Sequence, residues 1–286
     1  MDGVLIIDKP AGMTSHDVVD RVRKALKTKK VGHAGTLDPD ATGLLLIGVG
    51  KATRFLTYAQ SGPKRYVADA RFGIVTTSQD ASGEVVRTSD GTVTSDHVRG
   101  ALAAFTGEIR QLPPMVSAVK VGGERLYAKA RRGEEIERAP RTVTIHSLEL
   151  VAFDASAQTA RLDVSCSGGT YVRTLIHDLG EALGVGAHMT ALRRTEIGGF
   201  SLSDALALDD VATSRLLPLH EAVRPLPKIK LGAAHARDVG FGRALPGDIG
   251  PDLDDGARAA VTFDDELVAV YRRAGDHLVP DRVVSQ

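Results

Sequence analysis

Short β-type runs and amphipathic helices follow one another irregularly along this chain, without a repeating strand–helix–strand rhythm, and that irregularity restricts its fold more than any other feature. It favours an α+β class over a doubly wound parallel sheet. Val4-Leu5-Ile6-Ile7 reads as a strand ended by the turn signal Asp8-Lys9-Pro10-Ala11-Gly12. Thr14-Ser15-His16-Asp17 then caps a helix with Val18, Val19, Val22, Ala25 and Leu26 at helical spacing, its basic residues on the other side. Residues 31–43 form a shaped loop with three glycines that feeds an apolar strand over 44–49. Further strands are expected over 66–73, 84–87, 143–153 and 159–166, and helices over 95–105 and 171–183.

The length suits about two domains. Arg224-Pro225-Leu226-Pro227 punctuates the chain, so residues 1–227 and 228–286 are assigned to separate domains. The second is Gly-rich with short strands, a small β-rich module. Within the first, Pro113-Pro114-Met115 and Gly122-Gly123 bound an excursion over about 110–140, with a charged helix expected over 125–132.

The 36 Lys and Arg balance 36 Asp and Glu, but the sum hides local concentrations. Arg21, Arg23, Lys24, Lys27, Lys29 and Lys30 lie together without an acid, and the excursion is also net basic. Such patches suit phosphate contacts or a solvated helix face. Cys166 alone rules out an intramolecular disulfide and a Cys-rich zinc site. No apolar run approaches the roughly 20 residues of a membrane span, and the start lacks a signal-peptide pattern, so the cytoplasm is the expected compartment.

Several reaction classes lose support because their motifs are absent. There is no Walker A loop, His-Glu-x-x-His helix, dinucleotide fingerprint or Gly-x-Ser-x-Gly elbow. Metal and cofactor chemistry are therefore not expected. Asp38 stands out, set between Leu37 and Pro39 among small residues that let a ligand approach the backbone. It reads either as a ligand-facing carboxylate or as a cap for a helical turn begun by Pro39. Arg173 reads either as a surface residue of an amphipathic helix or as part of a site.

The block Gly32-His33-Ala34-Gly35-Thr36-Leu37-Asp38-Pro39-Asp40-Ala41-Thr42-Gly43 resembles the catalytic motif of the bacterial tRNA pseudouridine synthase B family. Residues 3–15, Lys64-Arg65-Tyr66, Pro113-Pro114-Met115-Val116-Ser117-Ala118, Gly169-Thr170-Tyr171-Val172-Arg173-Thr174, and Gly186 to Arg194 fall in the family's order, so the resemblance spans residues 3 to about 200. Val116 departs from it where many members carry an aromatic residue. The resemblance implies a mixed, largely antiparallel central sheet flanked by helices and loops, followed by a PUA-like RNA-binding domain over 228–286. It implies isomerisation of uridine 55 in the tRNA T loop, with no cofactor and no metal, by a cytoplasmic protein expected to be a monomer.

By similarity, Asp38 is the essential carboxylate, Arg173 the cation that keeps it ionised, and Tyr66 the face on which the extruded base stacks. His33 lies beside the substrate loop in the family, and Lys9 and Leu192 match positions near the pocket. The basic helix and the 110–140 insertion then grip phosphates of the T stem-loop. Two other readings stand beside this one: a tRNA-folding chaperone acting without catalysis, and a glycosidic-bond hydrolase, which is disfavoured because most glycosidases use two placed carboxylates.

Overall fold

The computed structural model describes residues 1–115, 120–121, 124–125, 132 and 136–284. Val116, the helix expected over 125–132 and most of the 110–140 insertion fall outside the described residues. The chain divides into two compact units, one formed by residues 1–39, 44–62 and 198–286, the other by 40–43 and 63–197.

In the first unit the strand Gly3–Lys9 runs parallel to Leu206–Ala207, while Val31–Ala34 pairs antiparallel with the later residues of Thr42–Val49, His33 opposite Ile47. The Ser15–Ala25 helix covers this sheet because its apolar stripe matches the helical period: Val18, Val19 and Val22, with Leu26 just beyond the helix, pack on Leu5, Ile7, Leu45, Ile47 and Val49. Burying side chains of this size contributes about 1.5–3 kcal/mol each. Ala25 was expected on that stripe and is exposed, because the 100° step carries it round to the basic face.

In the same unit, Lys228–Lys230, Arg258–Phe263, Glu266–Ala274, His277–Val283 and Leu245–Pro246 form a five-stranded sheet in that order. Ile229, Leu231, Val239, Val261 and Tyr271 help fill its own core. These short strands agree with the β-rich character expected of this stretch. The short helix Ala233–Gly240 was not anticipated.

The second unit is a mixed, largely antiparallel sheet ordered Ala187–Ile197, Lys64–Phe72, Thr159–Cys166, Arg141–Asp154 and Gly107–Gln111, with Thr42 and Gly43 adding a parallel contact to Arg193 and Arg194. Lys64–Phe72 shows the period-two pattern of a strand: Lys64, Tyr66, Ala68, Ala70 and Phe72 are buried and the residues between them are less so. Val172, Leu175, Ile176 and Leu179 form the buried stripe of the Val172–Ala182 helix. Irregular alternation has produced the expected α+β class. Among the described residues no helix is long and apolar enough to cross a membrane.

Candidate active site

Asp38 sits half-buried in a loop whose backbone is held on both sides. Before it, Leu37 is buried outside any strand, so its amide and carbonyl need partners. Ser15 supplies both: its Oγ accepts from the Leu37 amide at 2.9 Å and donates to the Leu37 carbonyl at 3.2 Å. After it, the Pro39 carbonyl accepts from the Gly12 amide at 3.0 Å and from Lys9 Nζ at 2.9 Å. Lys9 is fully buried and also donates to the carbonyls of Pro10 at 2.8 Å and Met13 at 2.6 Å. No helix begins at Pro39: a turn follows and the chain enters the strand at Thr42, so Asp38 is not a helix cap.

The loop's exit depends on Gly43. Its φ is +97°, and a Cβ there would collide with the backbone of Arg194, against which this stretch pairs. His33 lies half-buried in the strand leading to the Asp38 loop.

Arg173 occupies the first turn of the Val172–Ala182 helix and is buried, which removes the reading as a surface residue. Its Nη1 lies 3.2 Å from Asp80 Oδ2 and donates to the Ser78 carbonyl at 3.1 Å. Asp80 is itself oriented by Ser78 Oγ at 2.5 Å, Ser82 Oγ at 2.6 Å and the Ser82 amide at 3.0 Å, all donating to Oδ1. The start of the Arg173 helix is fixed by Gln111, which donates to the Tyr171 carbonyl at 3.1 Å and accepts from the Tyr171 amide at 3.0 Å. That double bond substitutes for the side-chain cap that Tyr171 cannot provide.

Tyr66 is buried in Lys64–Phe72, opposite Arg194 and Val164. Leu192 is half-buried and pairs with Ala68, two residues along and on the same face as Tyr66. The structure thus groups Lys9, His33 and Asp38 in the first unit, and Tyr66, Arg173 and Leu192 in the second. Sequence reading missed Asp80, Gln111 and the second role of Ser15. Each acts on a residue at least 20 positions away, so no local spacing marked it.

On the Ser15–Ala25 helix and just beyond it, Arg21, Lys24, Lys27, Lys29 and Lys30 are exposed, whereas Arg23 is tied to Asp20 and to the Val31 carbonyl. Thr14 caps this helix in a reciprocal box with Asp17. The hydroxyl and amide of Thr14 hold the Asp17 carboxyl below its ordinary value. Elsewhere in the first unit, the Tyr58 hydroxyl donates to Asp281 at 2.6 Å, and Arg258 reaches the same oxygen at 3.1 Å. Among the described residues no group of three or more His, Cys, Asp or Glu side chains is arranged to hold a metal ion.

The family model for the N-terminal domain of TruB family pseudouridylate synthases matches residues 23–172, and that for the tRNA pseudouridylate synthase B C-terminal domain matches 173–227. The tRNA pseudouridine synthase B of Arthrobacter sp. strain FB24 is 46% identical over 292 residues, covering 98% of this chain and 95% of that protein. That of Nocardia farcinica strain IFM 10152 is 47% identical over 290 residues, covering 99% and 94%. A solved structure of an H/ACA RNP bound to a substrate RNA containing 2′-deoxyuridine aligns with a TM-score of 0.76 at 27% identity, covering 99% of this chain and 84% of that one.

Proposed function

Since the chain belongs to the TruB family of pseudouridine synthases, isomerases that make pseudouridine in tRNA, we propose that it converts uridine 55 of the T loop, using Asp38 as the reactive carboxylate. The reaction breaks the C1′–N1 bond, turns the detached uracil, joins its C5 to C1′ and moves the C5 proton to N1. Atoms and electrons balance without a redox partner. An ionised carboxylate is suited to attack the sugar carbon or the base, or to remove a sugar proton.

The carrying observation is the clamped backbone on either side of Asp38, held by Ser15 before it and by Gly12 and Lys9 after it. Beyond satisfying buried backbone groups, this restraint holds the chain on both sides of Asp38, as a reacting group placed to a fraction of an ångström requires. Arg173 is taken as the cation of the reaction, because desolvation alone raises a carboxyl pKa and removes the reactive form. Asp80 and Ser78 hold that guanidinium ready.

The uridine leaves its stack at a cost of a few kcal/mol, offset by stacking on Tyr66 worth about 1–3 kcal/mol. Leu192 shares that face, and His33 meets the displaced RNA. Lys9 serves the site by securing Pro39. The exposed lysines beside the first helix take phosphates of the T stem-loop, and residues 228–286 act as a PUA-like RNA-binding domain. The protein works as a monomer in the cytoplasm.

The test is Asp38→Asn, which keeps the shape and removes the reactive charge. Loss of pseudouridine with unchanged tRNA binding supports the reading; undiminished pseudouridine rules it out. Release of free uracil would instead favour hydrolysis.

A further inference from the structure

We infer that Ser15 is a positioning residue for Asp38, and that through it the basic helix and the reactive loop form one mechanical element. The inference rests on Asp38 being the reactive carboxylate. Ser15 is buried, and its single hydroxyl bridges both backbone polar groups of Leu37, at 2.9 Å to the amide and 3.2 Å to the carbonyl. This fixes the peptide plane that leads into Asp38, and so sets the direction in which the carboxylate leaves the chain.

Ser15 is placed with equal definition. It is the first residue of the helix, directly after the N-cap Thr14, whose reciprocal bonds with Asp17 set the helix register. The same rigid helix carries Arg21 and Lys24 on its exposed face. A phosphate pulling on that face therefore acts on a body whose other end grips the residue next to Asp38. Ser15 touches no reacting atom; its effect passes through the geometry of Leu37.

The experiment uses the full chain and an unmodified tRNA transcript. For Ser15→Ala, the single-turnover rate of pseudouridine formation, the tRNA Kd and hydrogen exchange at the Leu37 amide are measured beside wild type and Asp38→Asn. The expected result is a rate lower by roughly tenfold to a hundredfold, a Kd within about twofold of wild type, and faster exchange at Leu37. A residue that merely supported folding would weaken binding and rate together. An unchanged rate with Ser15→Ala, while Asp38→Asn is inactive, overturns the role of Ser15 alone; activity in Asp38→Asn overturns the Asp38 reading beneath it. If Ser15→Ala fails to fold, Ser15→Cys, whose thiol is a weak donor and acceptor, carries the same expectations.

Discussion

Buried Arg173 and half-buried Asp80 form an ion pair across 3.2 Å, and the carboxylate's other oxygen is committed to Ser78 and Ser82. Asp80 therefore aims the guanidinium as well as compensating its charge. Replacing Asp80 with Ala should leave tRNA affinity nearly unchanged and lower the single-turnover rate at least tenfold. The loss of a charged hydrogen-bonded partner should also cost about 1.5–3 kcal/mol of stability. Rate measurements alongside thermal unfolding of the variant test both effects; a wild-type rate would remove Asp80 from the site.

Tyr66 presents a ring and a hydroxyl, and two substitutions separate them. Tyr66→Phe retains the stacking face, so any fall in rate reports on the hydroxyl as a proton relay. Tyr66→Leu removes stacking worth about 1–3 kcal/mol and should reduce the rate roughly tenfold to a hundredfold. Equal activity of Tyr66→Leu and wild type would show that no base stacks there.

The exposed lysines give a salt-dependence test. If Lys24, Lys29 and Lys30 each neutralise a phosphate, changing them to Gln should flatten the dependence of log Kd on log salt by about one per residue. A slope equal to that of wild type would make this face a solvated surface only.

Tyr58 and Asp281 set a pH dependence of stability. Burial pushes the Asp281 carboxyl up, but the hydrogen bonds from Tyr58 and Arg258 and the charges of Arg258 and Arg282 outweigh it, leaving the group below its ordinary value of 3.8. Burial first, then the bond to Asp281, raises the Tyr58 hydroxyl. A depressed carboxyl contributes stability above its unfolded pKa that is lost as pH falls through the folded one; a raised phenol contributes below its unfolded pKa and loses that as pH rises. Tyr58→Phe should accordingly lower stability by about 1 kcal/mol near neutral pH, with the difference from wild type shrinking below the carboxyl range. Thermal unfolding of both proteins from neutral to acid pH measures it; a constant gap would contradict the linkage.

How much of this was legible in the sequence depended on the range of the interaction. The Ser15–Ala25 helix was readable because its cap, its stripe and its basic face are all local. The strand Lys64–Phe72 was readable from about Tyr66, but its first buried residue, Lys64, gave no apolar signal. Asp38 and Arg173 came from motif resemblance, and local chemistry left each with two readings. Asp80, Gln111 and the Leu37 contact of Ser15 were invisible because a polar residue's local pattern marks its own element, not the distant group it holds.

Incubating the purified protein with an unmodified tRNA transcript, without added cofactor, and mapping pseudouridine at single-nucleotide level is the most direct measurement of all. Wild-type protein should produce pseudouridine at position 55 and Asp38→Asn none, both binding the transcript equally. Pseudouridine at another position, its absence with wild type, or its persistence in Asp38→Asn would contradict uridine 55 conversion by a clamped aspartate.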